Sequence, residues 1–320
     1  MSENGHSHDH DGHERDHGGH GHDHAHAHAP ASFGAAFAIG IALNVGFVAI
    51  EAFYGLIAGS VALLSDAGHN LGDVLGLAAA WLASVLVRRA PSARFTYGLR
   101  GSSILAALFN AVFLLLTVGA ISWEAILRLA NPAPVAGKIV MVVAAIGIVV
   151  NGVTAWLFAS GQKDDINLRG AFLHMASDAL VSAGVVVAGL VILATGWLWL
   201  DPLTSLAVNL VIVWGTWGLL RDSLGMSMAA VPAGVDPQKV REFLAARPGV
   251  AAIHDLHVWP ISTTETALTC HLIMPDGHPG DPFLHALAAE LASGFRIGHS
   301  TVQIETDPAL ACALAPDEVI

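Results

Sequence analysis

The sequence predicts an α-helical membrane protein: six transmembrane helices followed by a small α+β domain with the element order αββαβ. Three observations carry this. Only 12% of the 320 residues are charged and 54% are hydrophobic, with a mean hydropathy of +0.60, whereas soluble domains carry about 25% charged residues. Six apolar stretches follow one another between residues 31 and 220, each longer than the ~20 residues that cross ~30 Å of hydrocarbon as a helix. From about Asp222 the hydropathy falls, and the apolar pattern breaks into short helical and alternating segments.

Residues 1–30 hold ten of the eighteen histidines, interleaved with Gly, Asp and Ala. Such a composition cannot build a packed core, so the segment reads as a disordered tail. It lacks the basic region and apolar run of a secretory signal. Its histidines suit loose binding of Zn2+, Ni2+ or Co2+, as a buffer or delivery arm dispensable for turnover.

The apolar stretches cover approximately 33–58, 61–87, 103–128, 138–160, 168–194 and 198–220, with Gly, Pro, Ser and Asn marking the breaks. Six crossings place both termini on one side. Arg88, Arg89, Arg94, Arg100, Lys163, Arg169 and Arg221 lie in or beside the even connections and the exit, against Arg128 and Lys138 on the other side. By the positive-inside rule both termini are then cytoplasmic.

Residues 221–320 read as the cytoplasmic domain. Asp236-Pro237 starts a helix with an N-cap acid and proline at the first helical position. Val250–Ile261 and Thr263–Met274 read as strands, Pro282–Phe295 as a helix and Ser300–Glu305 as a strand. The order predicts an antiparallel or mixed sheet covered by two helices. Acidic residues outnumber basic ones here and in the whole chain, whose net charge is −12. That balance excludes nucleic acid as a partner, which needs a clustered basic surface. The two cysteines, Cys270 and Cys312, are too few for a disulfide framework and form no CxxC.

The chemistry lies in the second and fifth spans. Each holds a His-x-x-x-Asp pair, His69 with Asp73 and His174 with Asp178. Spacing of i, i+4 puts both side chains on one helix face. One such pair reads equally well as an interhelical hydrogen bond. Two pairs on two spans supply two imidazole nitrogens and two carboxylates, a donor set that suits tetrahedral Zn2+ and leaves a neutral unit at membrane depth. Ligands must be deprotonated to hold metal, so metal entry expels protons and proton entry expels metal. A site open alternately to each side would exchange the two. Asp66 reads as a carboxylate orienting His69 or as a proton relay, and Glu51 as a proton-path or interfacial residue. Asn70, Asn44, Asn151 and Asn209 read as bonds between helices. Trp197 and Trp199 read as interfacial anchors.

These paired motifs, with the segment RFTYG (Arg94–Gly98) and the run HDLHVW (His254–Trp259), resemble the cation diffusion facilitator family over roughly residues 33–307. The resemblance implies a homodimeric antiporter of divalent metal and protons in the cell (inner) membrane, with no prosthetic group. It further implies six spans and a ferredoxin-like cytoplasmic domain that dimerises and senses metal. A His and an Asp on each of the two spans resembles the zinc-preferring branch, in which Cd2+ or Co2+ is sometimes admitted, and the carry-over lands on His69, Asp73, His174 and Asp178. In the cytoplasmic domain it lands on His254, His271, His299 and Glu305, with less support for His285 and Asp307. His299 and Glu305 lie ~20 Å apart along a straight strand, so they serve one ion only if the strand bends or starts later, or they belong to different sites or subunits. Cys312 is placed to supply a thiolate, and Cys270 faces the core. The connection RRAPSARFTYGLR holds no His or acid, which excludes a metal site found there in some relatives.

Three other readings differ in what they predict. A Co2+-, Ni2+- or Cd2+-directed exporter shares the same ligands. A membrane metal receptor or store would bind without flux. A membrane enzyme would need GxSxG, a GxxxxGK loop or an HExxH on a helix; the first two are absent, and the one HExxH, His13–His17, falls in the low-complexity tail.

Overall fold

A computed structural model describes residues 35–159, 166–307 and 312. The histidine-rich tail and the Gly161-Gln162 break lie outside the described residues. Six long helices come first: α1 (Ala35–Ala58), α2 (Val61–Val87), α3 (Ser102–Ala130), α4 (Gly137–Ala159), α5 (Ile166–Thr195) and α6 (Leu200–Ser227). All six are long and apolar enough to cross a membrane.

The last helix departs from the sequence expectation. It runs to Ser227, through the region where hydropathy falls after residue 220. No proline interrupts Arg221 to Ser227, and Ser223 and Ser227 bond back to carbonyls one turn earlier. The helix ends where Ala229 takes a positive φ of 57°. Composition marks where lipid ends, and the helix carries on beyond it.

The helices are held by small residues and buried polar bonds. Gly68, Gly72 and Gly76 recur every fourth residue on α2, and α3 packs into that stripe. A Cβ at Gly72 would overlap the Leu114 side chain, and one at Gly76 would come within 2.6 Å of Asn110. Small residues at this spacing let helices approach in lipid, where packing replaces the hydrophobic drive. Elsewhere α4 packs on α5, α3 on α6, and α1 against both α2 and α4. Asn209 Nδ2 donates to Ser122 Oγ at 2.9 Å, tying α6 to α3. The Ser65 and Ser205 hydroxyls meet at 2.5 Å, tying α2 to α6. At the first turn of α2, Asp201 accepts from the Ser60 hydroxyl and, at 2.8 Å, from the Val61 N–H. Asn44 Nδ2 donates to Met175 Sδ across α1 and α5. Neither polar side-chain atom of buried Asn151 has a hydrogen-bond partner among the described residues.

The C-terminal part has the expected element order: α7 (Pro237–Ala245), β1 (Ala252–Pro260), β2 (Thr266–Ile273), α8 (Asp281–Phe295) and β3 (Ile297–Glu305). Asp236 caps α7, its Oδ1 accepting from the Gln238 and Lys239 N–H groups. The sheet order is β1-β2-β3, with β1–β2 antiparallel and β2–β3 parallel, so the sheet is mixed. A core of Val240, Leu244, Leu268, Cys270, Leu272 and Leu291 joins it to the helices. The β1–β2 turn leans on the start of α3. Arg100 pairs with Glu265 at 2.7 Å, and the Thr263 N–H donates to Ser103 Oγ at 3.1 Å. The α2–α3 connection and the C-terminal domain therefore lie on the same side of the helices.

Candidate metal centre

His69 and Asp73 face the same way from α2, one turn apart, and His174 and Asp178 do so from α5. The two pairs meet. His69 Nε2 lies 3.5 Å from Asp73 Oδ2 and 3.5 Å from Asp178 Oδ1. His174 Nε2 lies 3.1 Å from Asp73 Oδ2 and 3.6 Å from Asp178 Oδ2. Each imidazole touches both carboxylates. A tetrahedron of nitrogen and oxygen donors ~2.0–2.1 Å from Zn2+ has edges of about 3.3–3.4 Å. The four His–Asp separations bracket that value; His69, Asp73 and Asp178 each place a ligand atom within 4.8 Å of the other two, whereas His174 stands farther from at least one of the three. The two rings are set edge to face, their centroids 5.9 Å apart.

A second buried polar group backs the first. Asn70 Nδ2 donates to Glu51 Oε2 at 3.2 Å, and Ser182 Oγ donates to Asp66 Oδ2 at 3.1 Å. Glu51 and Asp66 are both fully buried. Glu51 is thus an interior residue, not an interfacial one. Asp66 does not orient the imidazole: among the described residues His69 Nδ1 is buried with no hydrogen-bond partner. The Asn70 bond to Glu51 is the helix-to-helix contact expected of a side chain turned away from His69.

A family model for the cation efflux transmembrane domain matches residues 37–226, and one for the cytoplasmic domain of cation efflux proteins matches residues 232–307. The chain belongs to the cation efflux family. Members of this family are transporters, not enzymes, and the chain shares their whole two-part layout. It is 35% identical over 274 residues to a cadmium, cobalt and zinc/H(+)-K(+) antiporter of Bacillus subtilis, covering 84% of this chain and 88% of that one. It is 36% identical over 271 residues to the metal cation efflux system protein CzcD of Cupriavidus metallidurans, covering 84% and 86%. The zinc transporter ZitB of Escherichia coli is 35% identical over 274 residues, covering 85% and 87%. The resemblance read from the paired motifs and from HDLHVW is this same family.

In the family's cytoplasmic domain a second cluster forms on one face of the sheet. His254 and His271 are register partners across β1 and β2, and Glu305 ends β3 beside them. His271 Nδ1 lies 3.2 Å from His254 Nε2 and 2.9 Å from Glu305 Oε1, and His254 Nε2 lies 3.3 Å from the same oxygen. Burial acts to raise the Glu305 carboxyl; the Cys312 thiol and the two histidines outweigh it and hold the carboxyl below the usual range.

His299 is not part of this cluster. It pairs in register with Ala267, four residues from His271 along β2, and its ring packs on Tyr97 at 5.5 Å. β3 starts earlier than expected but stays extended over all nine residues, so its two ends cannot share an ion within one chain. His285 lies on α8 and Asp307 just past β3, both outside the cluster.

Sequence reading missed one residue here. Asp255 Oδ2 lies 3.3 Å from His271 Nε2, and its Oδ1 lies 2.7 Å from His257 Nε2. A β-bulge between His254 and His257, with φ of 51° at Asp255, sets this geometry. Strand alternation alone would have sent Asp255 to the opposite face from His254.

Proposed function

We propose that this chain moves Zn2+ out of the cytoplasm in exchange for protons, carrying the ion between His69, Asp73, His174 and Asp178. The observation that carries this reading is the interleaving of two His/Asp pairs from two helices at 3.1–3.6 Å. Two carboxylates neutralise one divalent cation, so the loaded site crosses the membrane interior without net charge. The same four groups accept protons once the ion leaves, which couples the two fluxes at one place.

The names of the relatives support a metal range wider than zinc. The Bacillus antiporter is named for cadmium, cobalt and zinc, and an N/O donor set accepts all three. Cd2+ and Co2+ are therefore expected as further cargo. That relative's name also includes potassium; protons are the counter-ion that the His/Asp site itself can hold.

The protein is read as a multi-pass cell-membrane homodimer with both termini cytoplasmic. Residues 31–220, extended by the end of α6, would form the transmembrane part and the remainder the cytoplasmic domain. The basic residues around the α2–α3 connection support that orientation. His254, His271 and Glu305 are read as a cytoplasmic metal site that reports the ion concentration to the transporter. His299 would take part only across a dimer.

Zn2+ flux into reconstituted vesicles under a pH gradient tests the reading. Proton-driven flux in the wild type that vanishes in Asp178→Ala is the expected result. Binding without flux would point instead to a receptor or store. Equal flux in both proteins would leave transport standing and overturn the site.

A further inference from the structure

The cytoplasmic cluster has a fourth donor that comes from outside the sheet. Cys312 Sγ lies 3.7 Å from His271 Nδ1, and one ligand atom from each of His254, His271, Glu305 and Cys312 lies within 4.8 Å of all the others. We infer that Cys312 is a metal ligand, which the C-terminal segment brings over to close a tetrahedral, thiolate-containing site on the sheet. The inference rests on the reading of His254, His271 and Glu305 as a metal site.

The distances fit. With nitrogen ~2.0 Å and sulfur ~2.3 Å from Zn2+, a tetrahedron has edges of about 3.3 Å between nitrogens and about 3.5 Å between nitrogen and sulfur. The corresponding separations are 3.2 Å for the two histidines and 3.7 Å for His271 and Cys312.

The orientation of His271 fits as well. With an ion at Nδ1 the proton belongs on Nε2, where the Asp255 carboxylate, 3.3 Å away, can only accept. In the neutral ring Nδ1 then presents its lone pair to Cys312, Glu305 and His254. A carboxylate behind a ligating imidazole is the usual means of fixing the tautomer. His254 and His271 are each more than nine-tenths buried, so the donors are held in place before any ion arrives. The chain's other cysteine has no such role, because Cys270 lies wholly in the core.

Two consequences follow for selectivity and for the tail. A thiolate in place of a fourth oxygen or nitrogen donor favours softer cations, Cd2+ and Zn2+, over Ni2+ and Mg2+. The ion also ties Cys312 to β1 and β2.

Cobalt titration of the full-length protein in detergent tests this. Thiolate-to-cobalt charge transfer absorbs in the near ultraviolet, and only a cysteine ligand produces it. Neither the N-terminal histidines nor the transmembrane His/Asp cluster includes a cysteine, so the band reports this site alone. The expected result is a band whose full intensity corresponds to one thiolate-bound Co2+ per chain, which is lost in Cys312→Ser and is displaced by Zn2+ or Cd2+. In Asp255→Asn, the Co2+ needed to raise the band should increase by about 10- to 100-fold. Visible cobalt bands that vanish in His271→Ala, with no charge-transfer band in the wild type, would overturn the cysteine assignment and leave the three-residue site standing. Cobalt spectra identical in wild type and His271→Ala would overturn both. The conservative Cys312→Ser change lies beyond the last strand, so its outcome does not depend on refolding of the sheet.

Discussion

Asp73 lies closer to the histidine of another helix than to that of its own: its Oδ2 is 3.1 Å from His174 Nε2 on α5 and 3.5 Å from His69 Nε2 on α2. Asp178 behaves alike, 3.5 Å from His69 and 3.6 Å from His174. The four side chains form an alternating ring in which every neighbour has the opposite character. Apart from this ring and the Ser182–Asp66 bond, α2 and α5 touch little. The ring is thus the main direct link between two helices that other elements hold apart, and a modest relative movement would open it.

Charge makes the carboxylates less replaceable than the imidazoles. Removing an aspartate leaves a divalent ion half-neutralised at membrane depth, where charge is costly. Removing a histidine leaves neutrality intact, and water can take the empty position. Zn2+ flux in Asp73→Ala and Asp178→Ala should fall to background, while His69→Ala retains measurable flux. The check is initial uptake rate in vesicles at matched protein content. Equal losses in all three would show that geometry, not charge, dominates.

The α2–α3 seam should be intolerant of side chains. A Cβ at Gly72 meets the Leu114 side chain, and overpacking typically costs about 1–3 kcal/mol. Gly72→Ala should therefore lower the thermal midpoint in detergent, and adding Leu114→Ala should recover part of the loss. Additive losses in the double variant would place the cost elsewhere. Gly119, which has open space around it, serves as the control.

Asn70 donates to Glu51 where both side chains are buried. Asn70→Ala leaves Glu51 Oε2 without the donor it has at 3.2 Å. An unsatisfied buried acceptor costs about 1–3 kcal/mol, more when charged. Asn70→Ala should destabilise the protein on that scale, and Asn70→Asp more, since it adds a third carboxyl beside Glu51 and Asp66. Thermal unfolding of the two variants in one detergent decides the order.

Much of this was legible in the sequence because membrane constraints are simple. Length and apolarity marked the six helices, and the i, i+4 spacing put His69 with Asp73 and His174 with Asp178. That the pairs face each other follows from packing by α1, α3 and α6, which no local pattern encodes. The stripe Gly68-Gly72-Gly76 was in plain view, but a glycine's role depends on what lies opposite it. In the C-terminal domain strand alternation failed at Asp255, where a bulge turns the side chain toward His271. His299 shows the opposite case. The residue type matched a ligand, yet strand rise alone separated it from Glu305, and the extended β3 upheld that separation.

The two cysteines should differ sharply toward thiol reagents. Burial, helped by the charge of Asp255, pushes the Cys270 thiol up to about 12. Only the thiolate reacts, and at pH 8 a thiol of that acidity is ionised in roughly one molecule in ten thousand. Its side chain is also fully enclosed by the core, whereas Cys312 is partly exposed. In metal-free native protein, maleimide at pH 8 should label one cysteine per chain, and peptide mapping should place it at Cys312. Cys270 should react only after denaturation, or slowly as the pH is raised, each unit increasing its thiolate about tenfold while it stays below the pKa. Prompt labelling of Cys270 at pH 8 would mean that the sheet opens on the timescale of the reaction, and that the cluster built on it is not held rigid.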